Sequence, residues 1–166
     1  MKSIIALYNP KTPENVGAVM RAAGCYQAGA VRYFGERFDR AMKYQTDTKD
    51  IKNEIPFTHM DDLLSDVPRD TKVVCIELVE GAKSLPDFEH PQQAMYVFGP
   101  EDGSIPQAII DQADEVVYIP TVGCMNLAAT VNVVLYDRFS KTNENIDHEE
   151  RIKNSRDVNN RLMMKS

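Results

Sequence analysis

Short apolar runs alternate with longer helix-like segments along most of this chain. The runs are largely continuous, which is typical of parallel strands buried on both faces of a sheet. They predict strands at 3–8, 30–34, 72–79, 94–98 and 115–119. Helical spacing and helix-start residues predict helices from Thr12 to Gly24 or Gly29, and at 60–64, 106–113 and 126–141. Residues 35–58 and 81–91 are interpreted mostly as connections. The alternation predicts an α/β fold with an open parallel sheet flanked by helices.

The end of the chain differs from the rest in composition. Residues 142–150 are polar and acidic, and Lys and Arg recur from there to the end of the sequence. We therefore expect one domain over 1–141 and a polar tail over 142–166. Two interpretations of the tail stay open: a frayed terminus, or an arm that folds onto RNA or onto a second subunit.

Composition narrows the class of protein. The 166 residues suffice for one domain with a real core, and no apolar run approaches the ~18 residues of a membrane span. The start of the chain becomes polar too quickly for a signal peptide. Cys25, Cys75 and Cys124 have no metal-type spacing, so reduced thiols and a cytoplasmic location are expected.

The net charge of −6 argues mildly against a general nucleic-acid binder, but the charges are unevenly distributed. Residues 1–52 contain nine Lys or Arg and five Asp or Glu, whereas the rest of the chain is strongly acidic. This basic excess is either a phosphate-facing surface or simply a solvated one. It includes Arg32, Arg37, Arg40, Lys43, Lys49 and Lys52.

Three segments that follow predicted strands have the composition of ligand-binding loops, because glycine and polar side chains stand where parallel strands end. The first contains Asn15 and Arg21, six residues apart and so not on one helix face by periodicity alone. The second contains Gly99-Pro100-Glu101, and the third Gly123-Cys124-Met125-Asn126. Taken singly, each has a plain structural explanation: a surface arginine, a tight turn and a helix cap.

Taken in order, the segments resemble the three motifs of the SpoU-type RNA ribose methyltransferases of the SPOUT superfamily. The first motif corresponds to Asn15-Val16-Gly17-Ala18-Val19-Met20-Arg21 and the second to Gly99-Pro100-Glu101. The third begins at Asn126, and its Met-Asn-Leu form is similar to that of the small tRNA wobble-ribose methyltransferases. Order and spacing agree over residues 3–140.

The resemblance implies properties that no periodicity could show. It implies a deep C-terminal trefoil knot, S-adenosylmethionine as cofactor, no metal, and a homodimer in which first-motif residues lie near the partner's cofactor. It implies a catalytic group of Arg21, Asn15, Glu101 and Asn126. It implies a cofactor pocket lined by Leu78, Gly99, Ile119, Cys124, Met125 and Leu127.

The expected function is methyl transfer to a ribose 2′-hydroxyl of RNA, with tRNA favoured over rRNA. Three positions depart from the family's usual motifs: Cys124 and Ala128 replace serines, and Gly103 precedes by one residue the place of a common glycine, which Ser104 takes. These departures keep alternatives open: a catalytically silent knotted protein that binds RNA or senses the cofactor, or methyl transfer to a base.

Overall fold

The structure, a computed structural model, describes residues 3–43, 55–142, 147–156, 159 and 161–164. Seven strands form one sheet in the order β3-β2-β1-β6-β4-β7-β5, and the neighbouring strands all pair in parallel. The strands are β1 (Ile4–Tyr8), β2 (Ala30–Phe34), β3 (Phe57–Met60), β4 (Lys72–Ile76), β5 (Lys83–Ser84), β6 (Ala94–Phe98) and β7 (Glu115–Tyr118). The α-helices are α1 (Pro13–Cys25), α2 (Arg37–Met42), α3 (Gln107–Ile110), α4 (Leu127–Thr142) and α5 (His148–Ser155).

The sheet is buried on both faces, and its central strands show why. All five residues of β6 are buried, although a strand points alternate side chains to opposite faces. Tyr96 and Phe98 pack into one hydrophobic core, whereas Met95 and Val97 pack into a second. The first core includes the inner faces of α1 and α4, which pack against each other. The predicted fold class, a parallel sheet flanked by helices, is therefore confirmed.

The strand order creates a switch point between β1 and β6. The chain leaves β1 towards β2 on one side, and leaves β6 towards β7 on the other. The two loops consequently diverge and open a crevice at the carboxyl edge of the sheet, the usual binding position in open α/β folds. The connection after β4 also starts at this edge.

Several boundaries differ from the predicted ones. The predicted strand 72–79 ends at Ile76, because the chain turns at Glu77, whose carboxylate accepts hydrogen bonds from the backbone N–H groups of Leu78 and Ile105 (3.0 and 2.9 Å). The apolar residues after it are loop residues: the residue surface of Leu78 is 81% exposed. The helix expected at 106–113 is regular only over Gln107–Ile110.

One predicted helix does not exist, and several short elements were not predicted. The prediction of a helix at 60–64 is wrong, because β3 ends at Met60 and turns follow. Helix α2 lies within a predicted connection, and so do β5 and a 3-10 helix at Leu85–Asp87. These elements are short or at the sheet's edge, and α2 buries a single residue, Phe38, so none leaves a periodic apolar pattern.

A buried polar network fixes the far end of α4. His90 Nε2 lies 2.8 Å from Asp137 Oδ2 and its Nδ1 lies 2.6 Å from the hydroxyl of Tyr96, which accepts a bond of 3.0 Å from Arg138. Burial lowers the pKa of His90 and outweighs the opposing effect of Asp137, and the charges of Arg138 and Lys141 add smaller effects that also lower this pKa. A neutral ring satisfies every contact if Nε2–H donates to Asp137 and Tyr96 donates to Nδ1.

The tail contains α5, which sequence patterning did not predict. Asp147 caps this helix by accepting a 3.0 Å bond from Glu150 N, and the Arg151 guanidinium lies 5.1 Å from the centre of the Phe139 ring on α4.

Among the described residues, no helix is long and apolar enough to cross a membrane. The boundary at 141 and the trefoil knot stay predictions.

Candidate active site

A cleft with a volume of about 420 Å³ opens at the carboxyl edge of β4, β6 and β7. Its walls are the loops that follow these three strands and the first turn of α4. Its lining mixes apolar side chains with backbone groups and two carboxylates, those of Glu77 and Glu101. This size and this mixture are typical of sites for small organic ligands.

The cleft brings together all six residues predicted to bind the cofactor. Leu78 comes from the loop after β4, Gly99 from the end of β6, and Ile119 from the loop after β7. The remaining three stand before or at the start of α4: Cys124, Met125 and Leu127. Gly99 faces a crowded wall, since a Cβ there would lie 3.2 Å from Ile105 N and 3.4 Å from Glu77 Oε2. A side chain at this position would narrow the cleft.

Glu77 is a cleft residue that the sequence did not single out. Its carboxylate holds two backbone N–H groups, those of Leu78 and Ile105, and so joins the loop after β4 to the loop after β6. Each carboxylate oxygen keeps a lone pair for a further donor. The available signal was an acidic residue that interrupts the apolar run predicted as a strand over 72–79.

Glu101 joins the cleft to the first motif. Its Oε2 accepts from the backbone N–H of Lys11 at 2.9 Å, and its Oε1 accepts from Thr12 N at 3.0 Å and from Asn15 Nδ2 at 3.1 Å. Burial raises the pKa of Glu101, but these hydrogen bonds outweigh burial and leave the pKa below its ordinary value. Glu101 is therefore a poor proton acceptor near neutral pH and a strong link between the β1 and β6 loops.

Asn126 caps α4. Its Oδ1 accepts a 2.7 Å bond from Ala129 N, as the plain structural interpretation of this residue requires. The side chain is exposed and does not line the cleft, although Met125 and Leu127 on either side do. The oxygen is committed to the helix, whereas the amide nitrogen remains a donor for a ligand.

Arg21 lies apart from the other predicted catalytic residues. It is exposed on α1, it does not line the cleft of its own chain, and it has no hydrogen bond or ion pair to another described residue. A Cβ on Gly17 would meet nothing within 4 Å beyond the backbone of its own helix, so no other element packs closely there. Within one chain, the structure thus joins Asn15 to Glu101 but leaves Arg21 on the surface.

Much of the predicted basic surface is engaged in local contacts. Arg32 donates to Ser65 O at 2.9 Å, Arg37 binds Asp102, and Arg40 pairs with Glu36. Lys49 and Lys52 lie outside the described residues.

Over the described ranges, no group of three or more His, Cys, Asp or Glu side chains is arranged to hold a metal ion.

The chain belongs to the SpoU rRNA methylase family, whose model matches residues 2–136, and the predicted resemblance is confirmed. This is a family of RNA methyltransferases. No curated protein matches the chain in sequence.

Solved structures share the fold. One concerns 2-OH methylation of C/U34 on tRNA: it is 21% identical, with a TM-score of 0.69, over 84% of this chain and 90% of that one. An AdoMet-bound rRNA methyltransferase from Sinorhizobium meliloti is 20% identical, with a TM-score of 0.69, over 85% of this chain and 57% of that one. A TrmH/SpoU tRNA modifying enzyme from A. aeolicus is 18% identical, with a TM-score of 0.64, over 84% and 75% of the two chains.

Proposed function

We propose that this protein transfers a methyl group from S-adenosylmethionine to a ribose 2′-hydroxyl of RNA, with tRNA favoured over rRNA. The observation that carries the proposal is the cleft, in which all six residues assigned to the cofactor meet at the carboxyl edge of the sheet. Its position beside the switch point of an α/β sheet agrees with the binding rule for such folds.

The cleft suits this cofactor in size and chemistry. Its volume of about 420 Å³ lies within the range of small-ligand sites. Leu78, Ile119 and Leu127 offer apolar surface for an adenine ring, and the loop backbones offer polar groups. Glu77 and Glu101 place negative charge around a ligand with a positive sulfonium. When bound, the cofactor supplies the electrophilic methyl group.

The residues of the chain position the acceptor and do little covalent chemistry. A bound cofactor would supply the methyl group with its sulfur as the leaving group, and the residues of the chain would place the acceptor O2′ and let its hydroxyl proton leave. Alignment of the two reactants supplies much of the rate. Glu101, with its low pKa, maintains the loop geometry, and Asn126 offers an amide donor beside the cleft.

Arg21 is assigned to the RNA phosphate next to the target ribose. A guanidinium has a pKa above about 12 and is therefore a poor base, so a phosphate oxygen or water held by Arg21 is the better proton acceptor. Because Arg21 does not line the cleft of its own chain, we propose a homodimer in which it serves the partner's cleft. Access to cellular RNA then favours a cytoplasmic location.

A second candidate is a protein that binds RNA or the cofactor without catalysis. The observation that favours it is the separation of Arg21 from the cleft, together with Cys124 in the place of the usual serine. A thiol is a weaker hydrogen-bonding group than a hydroxyl.

The test is transfer of labelled methyl from S-adenosylmethionine to tRNA and rRNA fractions, followed by nucleoside mass spectrometry. The proposal expects a 2′-O-methylated nucleoside, in the tRNA fraction. A methylated base would overturn the 2′-hydroxyl as acceptor. Cofactor binding without transfer to either fraction would favour the silent protein.

A further inference from the structure

Three charged side chains from three different loops meet beside the cleft. Arg37 holds Asp102 with two parallel bonds, from Nη1 to Oδ1 at 2.9 Å and from Nη2 to Oδ2 at 2.8 Å. Lys11 Nζ approaches the same carboxylate at 3.2 Å. All three side chains are accessible, with exposed fractions of 55% for Lys11, 48% for Asp102 and 30% for Arg37.

The fold explains this meeting. Lys11, Arg37 and Asp102 follow β1, β2 and β6, which are neighbours in the sheet, so their loops share the carboxyl edge. Gly35 has a φ of +95°, and a Cβ there would lie 2.5 Å from Asn9 Oδ1, so the β2 loop passes directly against the β1 loop. The bonds from Lys11 N and Thr12 N to Glu101 tie the β1 loop to the β6 loop.

The cluster contains two cations and one anion. Hydrogen bonds from Arg37 and Lys11 lower the pKa of Asp102 to about 2, so this carboxylate stays ionised at physiological pH. A carboxylate and a phosphodiester present the same feature to a guanidinium: two oxygens that share one negative charge. Exposed ion pairs are weak, because water and salt compete with them. Asp102 can therefore be displaced by a phosphate.

We propose that Lys11 and Arg37 form an RNA phosphate site, and that Asp102 occupies this site when RNA is absent. The inference rests on the proposed function and extends it. Glu101, the neighbour of Asp102, lines the cleft, so the bound phosphate lies at the cleft's edge while the target nucleotide enters.

The site also addresses a problem of charge. A chain of net charge −6 repels RNA on average and must bind it through local groups of cations. An internal carboxylate at such a group weakens binding to any RNA. It favours RNAs whose other contacts hold a phosphate in place against Asp102.

The experiment measures binding of an unmodified, transcribed tRNA by fluorescence anisotropy at several salt concentrations, without cofactor. We expect Lys11→Gln and Arg37→Gln each to weaken binding about fivefold and to reduce the slope of log K against log salt by about 1. We expect Asp102→Asn to strengthen binding about threefold. Lys11→Gln keeps the backbone N–H that binds Glu101, so the loop is preserved.

Matched controls lie at the opposite edge of the sheet. Lys72→Gln removes a lysine that pairs with Asp114 at the start of β4, and Glu115→Gln removes a carboxylate that pairs with Lys83 at the start of β7. They alter the net charge by the same amounts as Lys11→Gln and Asp102→Asn. The proposal requires larger effects from the cluster variants than from these controls.

A triple variant sharpens the test. In a chain that already carries Lys11→Gln and Arg37→Gln, adding Asp102→Asn releases no cations. The increase in RNA affinity caused by Asp102→Asn must therefore fall to the increase caused by Glu115→Gln. Weaker binding by the single variant Asp102→Asn would overturn the proposal and make Asp102 a scaffold residue. If all cluster variants bound RNA with unchanged affinity and transferred methyl groups at the wild-type rate, the proposal would also be overturned, while the proposed function would stay intact. Absence of RNA binding by the wild-type protein would overturn both.

Discussion

The cleft and the exposed face of α1 hold residues assigned to one reaction. A single chain assembles the whole cleft, whereas it leaves the assigned arginine on α1 outside that cleft. The cleft is built by loops from three adjacent strands, and all six of its predicted residues line it. Arg21 stands on a solvent-facing surface without a partner among the described residues. Within one chain, the loops of adjacent strands complete the cleft, whereas Arg21 stays outside it, and this difference is the basis of the proposed role of Arg21 in a partner subunit's cleft.

The bridge between these regions is also informative. Asn15 and Glu101 belong to different motifs, and their bond of 3.1 Å joins the start of α1 to the rim of the cleft. The exposed face of α1 is thereby held at a fixed position relative to the cleft.

Replacement of Arg21 should give the largest effect. We expect Arg21→Ala to reduce methyl transfer by about 10²–10³-fold, because a charged group that aligns the acceptor acts mainly on the transition state. Affinity for S-adenosylhomocysteine, measured by calorimetry, should stay unchanged. Arg69→Ala, which removes another exposed arginine before β4, is the control. Unchanged transfer by Arg21→Ala would remove this residue from the mechanism.

Replacement of Gly99 tests the other region. Gly99→Val should weaken S-adenosylhomocysteine binding by about 10²-fold, because its Cβ would already lie 3.2 Å from Ile105 N and its methyl groups would enter the cleft. Gly24→Ala is the control, since a Cβ there meets nothing within 4 Å. Full affinity in the folded Gly99→Val protein would place the cofactor elsewhere.

Replacement of Glu101 tests the bridge. Glu101→Gln turns one acceptor oxygen into a donor that faces an N–H group, and we expect a cost of about 1–3 kcal/mol in the free energy of unfolding. Methyl transfer should fall about tenfold, and cofactor affinity should fall less. Denaturant unfolding and transfer rates measure these effects. If Glu101→Gln and Glu115→Gln had the same effects on the free energy of unfolding and on the transfer rate, the bond between Asn15 and Glu101 would have no role.

The network at the far end of α4 should affect stability and not the site. Because burial lowers the pKa of His90 in the folded state, the unfolded chain binds more protons at acid pH, and stability falls as pH drops below about 6.5. We expect a contribution of up to about 1.4 kcal/mol per pH unit. It should be absent in His90→Gln and present in His59→Gln, an exposed histidine. Equal pH profiles in denaturant unfolding would contradict this account.

Sequence patterns predicted the central sheet well and its edge poorly. Strands β1, β4 and β6 bury residues on both faces, so continuous apolar runs mark them. Strand β2 buries only Val31 and Tyr33, and β7 only Val117, yet apolar residues still mark both strands. Strand β3 pairs on one side only and keeps two exposed residues, so its pattern is weak. The prediction of β4 was too long, because the apolar residues that follow this strand and line the cleft resemble a continuation of the strand.

The site was predictable where a motif lies directly beside the cleft. Gly99 and Met125 stand on loops whose position follows from the strands before them. Bonds between loops were not predictable, because Glu101 meets Lys11 across 90 positions and Glu77 meets Ile105 across 28. Such pairs depend on strand order, which no local pattern of the sequence encodes.

The most direct test of the central claim is subunit complementation. Chains carrying Arg21→Ala and Gly99→Val, with different affinity tags, are co-expressed, and the heterodimer is purified and assayed for methyl transfer to tRNA. If Arg21 acts in the partner's cleft, each homodimer is inactive, while the heterodimer has one complete site and about half of the wild-type activity. A heterodimer that binds one cofactor and transfers no methyl group would contradict a site shared between subunits.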